Sequence, residues 1–187
     1  MAQELPNARI AAKMLYKINK RPTEVRILAP ELVPEAMVTA LQAAVAVQKY
    51  YEAIAISPDE GMQSPSATVA VKHHSAAAAH AAAIADCDEK RKEQSEPCVV
   101  LAEFLPRGYE EPAAFSLSYP ATEEFTKSYR KGGRPKAFAI EPDLGFWGSS
   151  IKAESPEAAE ENALAACRAE AEKAKVSGEG CVVVSVN

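Results

Sequence analysis

Apolar positions along this chain switch between a period near four residues and a period of two, and the switches mark out its elements. Over residues 7–20, Ile10, Met14 and Ile18 form one stripe, with Ala11 and Leu15 beside it. That predicts an N-terminal helix stopped by Pro22. Residues 23–28 alternate and predict a strand. Residues 34–48 carry Met37, Leu41 and Val45 at four-residue steps, with Pro34 suited to a first turn, and predict a second helix. Residues 51–57 hold a near-continuous run, Ala53, Ile54, Ala55 and Ile56, the pattern of a central strand covered on both faces. Pro58, Asp59, Glu60 and Gly61 make a turn, and a strand follows at 66–72. Ser75 caps an alanine-rich helix over 76–87, and residues 98–104 close the set as a strand.

The plan then recurs. Strands are predicted at 113–118, 136–140, 147–152 and 181–186, with helices at 122–131 and 156–174. The repetition is visible in the residues themselves. Residues 53–61 read A-I-A-I-S-P-D-E-G and 137–145 read A-F-A-I-E-P-D-L-G. Each copy continues into a serine-capped alanine helix ending in cysteine, Ser75 to Cys87 and Ser155 to Cys167. Each closes on a second cysteine followed by valines, at Cys98 and Cys181. Self-similarity of this kind sets the architecture before any local reading. The expectation is an α+β chain in four parts: an N-terminal helix (1–22), a first β-α-β-β-α-β repeat (23–105), a linker (106–112) and a second repeat (113–187). That is the ferredoxin-like, split βαβ element order. The two repeats either pack as two sheets or join edge to edge in one, and the join is the expectation, because it would hide two edge strands.

The four cysteines fall in two pairs of matching context. Ten residues separate Cys87 from Cys98, and thirteen separate Cys167 from Cys181. An even count at repeated spacing predicts the bridges Cys87–Cys98 and Cys167–Cys181; the alternative is four buried thiols. Bridges point to an oxidising space, periplasmic or secreted. The start, Met-Ala-Gln-Glu-Leu-Pro, has no apolar run of a signal peptide, so it reads as a mature start whose leader has been replaced by Met. Net charge of −5 argues against nucleic-acid binding, and no apolar run approaches the roughly 18 residues of a membrane span.

These residues resemble a small exported bacterial domain family of unknown function. Its marks are an A-x-A-I-x-P-D-x-G strand and turn, a Ser-capped alanine helix ending in Cys, and a closing C-x-V-V strand. The second copy, 137–184, matches best, and the first has Ile84-Ala85-Asp86-Cys87 where the family has L-A-A-C. The resemblance implies export and disulfides, not chemistry. Chains of this look sometimes carry the label 5-aminolevulinate synthase. The sequence does not support that activity, since such an enzyme is roughly twice this length or more and no lysine here stands in a pyridoxal-phosphate context.

Candidate chemistry is sparse. The three histidines, His73, His74 and His80, cluster near the start of the first alanine helix. With Asp59 or Asp86 they could hold a metal ion or haem iron; the plainer reading is solvated surface histidines. Lys127, Arg130, Lys131, Arg134 and Lys136 place five cations in ten residues. They could bind an anionic partner, or simply solvate a helix C-terminus. Trp147 is a further candidate for partner binding, against packing on the sheet. Arg9, Lys13 and Lys17 share a face of the first helix that could lie on an anionic surface, though docking on the chain's own sheet explains that helix more simply. No phosphate loop, dinucleotide fingerprint or nucleophile elbow occurs. The expectation is therefore a binding or assembly protein of the bacterial envelope with an envelope or periplasmic protein partner, no catalytic residues and no cofactor. The alternatives are a metal- or haem-binding module using the histidines, and a small periplasmic hydrolase.

Overall fold

The structure, a computed structural model, describes residues 5–18, 23–111, 113 and 115–187. The mature-start reading and residues 19–22 lie outside the described residues, but the first helix already ends at Met14, with Leu15 as its extended C-cap, so its predicted run to residue 20 fails over 15–18. The chain is mixed α+β and divides into two compact units, Tyr16–Ala113 and Met1–Leu15 together with Ala114–Asn187. The strands fall into two antiparallel sheets rather than one shared sheet.

In the first unit the order is β1 (Thr23–Ile27), a 3-10 turn (Pro30–Leu32), α2 (Glu35–Ala44), β2 (Glu52–Ile56), β3 (Thr68–Ala70), α3 (Ala76–Lys90) and β4 (Val99–Pro106). The sheet runs β1-β4-β2-β3. All its neighbours are antiparallel, so β4 separates the parallel pair β1 and β2, and β2 separates β3 and β4. Strand residues alternate between faces. Ala53 and Ala55 therefore meet α3 through Ala79, Ala83 and Cys87. Ile54 and Ile56 meet the other layer, with Leu41 of α2, Ala102 and Phe104. Small side chains on one face let the alanine helix sit close; large ones fill the opposite face.

The second unit uses α1 (Ala8–Met14), α4 (Tyr119–Lys127), a 3-10 turn (Tyr129–Lys131), β5 (Ala137–Ile140), β6 (Trp147–Ser150), α5 (Pro156–Lys173) and β7 (Val182–Val186). Its sheet is β6-β5-β7. Ala137 and Ala139 face α5. Phe138 and Ile140 face Phe125, Tyr129 and α1. The units match in detail from the central strand onward. Both central strands shift register at the same place, between Ile54 and Ala55 and between Phe138 and Ala139. Ser75 and Ser155 accept from Ala78 and Ala158 N–H at 3.1 Å. Lys72 and Lys152 both take positive φ after the hairpin, 66° and 54°. Disulfides join Cys87 to Cys98 and Cys167 to Cys181. Twelve residues lie between the paired Ala55 and Thr68, eight between Ala139 and Gly148, so the four extra residues of the first unit are in its hairpin.

Two further expectations fail. Residues 115–118 form no strand. Ser118 instead caps α4, Leu117 is buried among Phe125 and Tyr129, and the Thr122 hydroxyl donates to Leu117 O at 3.1 Å. Among the described residues the second sheet therefore has three strands, and the element order β-α-β-β-α-β occurs once. The first helix is also rotated from the face its pattern centres on: Ala11 and Leu15, at the side of the predicted stripe, turn inward, and Ile10 and Met14 at its centre do not. Ala8 and Ala11 are buried, while Ile10 and Met14 are 51% and 37% exposed. Small residues allow the short helix to approach the aromatic layer, and bulk at Ile10 would not.

Candidate functional site

The predicted basic run is held by a buried aromatic. Tyr129 packs between Phe125 and Phe138, with centroids at 4.8 and 5.3 Å. Its hydroxyl donates to Ser185 O at 3.1 Å. That fixes the 3-10 turn in which Arg130 and Lys131 follow, both exposed. Lys136 has a different job. Its ammonium donates to the carbonyls of Tyr129, Arg130 and Gly132, each at 3.0 Å, and lies 5.1 Å from the Tyr129 ring centre. Burial and the neighbouring Arg134 push its pKa down, so this lysine closes the turn rather than meeting a ligand. The Asn187 carboxamide, turned with its oxygen toward Arg134, accepts from Nε and Nη2 at 2.6 and 2.8 Å.

These groups border a cleft of about 690 Å³ lined by Asn7, Ala8, Arg9, Arg130, Lys131, Gly132, Arg134, Lys136 and Asn187. Arg9 enters from α1, where the Asn7 side chain caps the first turn by accepting from Arg9 and Ile10 N–H at 3.0 and 3.1 Å. Among the described residues no carboxylate pairs with Arg9, Arg130, Lys131 or Arg134, and no acidic side chain lines the cleft. An anion about 4 Å from one such cation gains about 1 kcal/mol in bulk water and about 4 at a protein surface. The chain's excess of acid acts from farther away and is screened over about 8 Å at physiological salt. The local field of the cleft is therefore positive although the net charge is −5. Lys127 and Trp147, the other predicted binding residues, do not line it. Lys127 pairs with Glu123 along α4. Trp147 stacks on Phe138 at 5.7 Å and 8° as part of the core.

The histidines are not solvated surface groups. His73 and His74 are buried, 7% and 2% exposed. His80 Nε2 lies 2.7 Å from Glu103 Oε2, and Glu103 is 6% exposed on β4 beneath α3. Beside this pair is a tyrosine cluster, Tyr51 against Tyr50 and Tyr109 with centroids at 5.3 and 5.8 Å. Burial, then the neighbouring tyrosines, raise the Tyr51 pKa above the usual tyrosine range; burial, then Glu111, push Tyr109 up to about 12. Among the described residues no three His, Cys, Asp or Glu side chains form a group that could hold a metal ion. His80 bonds only Glu103 there, so no hydroxyl or thiol stands against it as a nucleophile. Asp59, the suggested extra ligand, accepts instead from the Ser57 hydroxyl at 2.7 Å and Glu96 N–H at 3.1 Å.

The sequence reading named Arg9 only as part of a helix face for an anionic surface and did not bring it to the 127–136 run, and it missed Asn187 in the cleft and Glu103 in the first unit. A signal for Glu103 existed, since a lone acid inside the apolar run 99–105 has to find a partner. No family model, curated protein or solved structure matches this chain.

Proposed function

We propose that this is a non-catalytic binding or assembly protein of an oxidising compartment, periplasmic or secreted, which holds an anionic group of its partner in the basic cleft. The carrying observation is the convergence of Arg9, Arg130, Lys131 and Arg134 on one opening with no acidic side chain lining it and no ion pair to any of the four among the described residues. Two disulfides support the compartment, and no helix of the described residues is long and apolar enough to cross a membrane. The likeness of the two serine-capped, cysteine-clipped halves supports a tandem repeat in which one copy carries the cleft.

Calorimetric titration with pyrophosphate tests the reading. Saturable binding that weakens with salt is expected. Replacing Arg9, Arg130 and Lys131 together by alanine should weaken it at least tenfold, since a hydrogen bond to a charged group contributes about 1.5–3 kcal/mol. Equal binding by the wild type and the triple variant, or none by either, sinks it.

A further inference from the structure

We propose that the cleft is one end of a longer site, in which an extended acidic segment of a partner protein adds to the outer edge of β7 as a fourth strand. This rests on the anion-binding reading and names the ligand class. Lys136 and Asn187 exchange two backbone hydrogen bonds, 3.0 and 2.9 Å. Antiparallel ladders alternate bonded and non-bonded pairs, so the next pair, Ala137 with Val186, leaves the Val186 N–H and C=O pointing away from β5. Among the described residues no strand lies on that side.

The first unit shows what fits there. Glu103 holds the place of Val186: each sits opposite the first alanine of its central strand, Ala53 or Ala137. On its other side Glu103 pairs with Arg26 of β1. The second unit has no such strand of its own, because residues 115–118 run into the cap of α4 and Leu117 is committed to the core. Exposed strand edges invite a partner strand, and main-chain bonds then supply affinity while side chains supply selectivity.

Direction follows from β1. Val25, one residue before Arg26, lies opposite Phe104, the position that Asn187 holds in the second unit. Asn187 lines the cleft. An incoming antiparallel strand therefore brings to the cations the residues on the N-terminal side of the one that pairs with Val186. The segment fits with its acids first and its β-branched residues after.

Fluorescence polarisation with the labelled peptide Asp-Glu-Val-Thr-Val-Thr tests this on the intact protein. It should bind at least tenfold more tightly than the reversed sequence. N-methylation of alternate residues should abolish binding in one phase and spare it in the other, because only one edge of the peptide pairs. Replacing Arg130 and Lys131 by alanine should weaken the peptide at least tenfold. If pyrophosphate binds but the peptide does not exceed its reverse, or both N-methyl phases bind alike, strand addition is wrong and the anion cleft stands. If neither probe binds, both readings fall.

Discussion

His80 and Glu103 carry a cost that a surface pair does not. Glu103 lies on β4 with its side chain only 8% exposed, and among the described residues His80 is the one hydrogen-bonding partner shown for its carboxylate. Removing the imidazole leaves a buried carboxylate oxygen unsatisfied, which costs about 1–3 kcal/mol. The equivalent residue of α5 is Glu160, which is exposed. His80→Ala should therefore lower the stability of the first unit by about 1–3 kcal/mol in a urea melt, while Glu160→Ala should stay within about 0.5 kcal/mol of the wild type. A silent His80→Ala would mean that the pair is not formed in solution. The tyrosines beside it follow the same logic: Tyr51 and Tyr109 are buried phenols that gain nothing from ionising, as the upward pKa directions of both reflect.

At the scale of elements, α5 approaches β6 at Gly148 more closely than any side chain would allow. A Cβ on Gly148 would stand 2.4 Å from Ala163 O and Cys167 N and 2.8 Å from Ala166 C, all helix backbone. Backbone cannot swing aside as a flexible side chain can, so Gly148→Ala forces helix and sheet apart. A loss of about 1–3 kcal/mol is expected in a denaturant melt followed by Trp147 fluorescence, as for other overpacked cores. A melt that coincides with the wild type would show that α5 does not pack against β6 as described. This contact also marks where sequence was legible. Ser75 and Ser155, the alanine faces of α3 and α5, the apolar β2 and the cysteine clips are local signals, and each is where its pattern puts it. Residues 113–118 misled because Ala113, Phe115 and Leu117 alternate as a strand does, whereas Ser118 caps a helix and Leu117 turns into the core. Ile10 and Met14 misled because hydrophobic size favoured them, when close packing favoured Ala8 and Ala11. The charge run of the cleft could be read; its completion by Arg9 and Asn187 could not, because it depends on tertiary placement of residues remote in sequence.

At the scale of the whole molecule, each disulfide ties an alanine helix to the strand that follows it, within a single unit. The sequence separations are 11 and 14 residues. Closing loops of that size restricts the unfolded chain by about 3 kcal/mol each in the loop-entropy account. Cys87 and Cys167 are fully buried and lie against the alanine layers, so a pair of alanines can replace each bridge with little loss of packing. Trp147 is the chain's one tryptophan and belongs to the second unit, which gives that unit its own optical signal. Replacing Cys167 and Cys181 together by alanine should lower the stability reported by Trp147 by about 2–4 kcal/mol. Replacing Cys87 and Cys98 should destabilise the first unit by a similar amount, read from the loss of helical circular dichroism. Reductant should reproduce both shifts in the wild type and add nothing to a variant lacking all four cysteines. A reduced protein as stable as the oxidised one would leave the bridges without a stabilising role, and the argument for an oxidising compartment would then lose its physical basis.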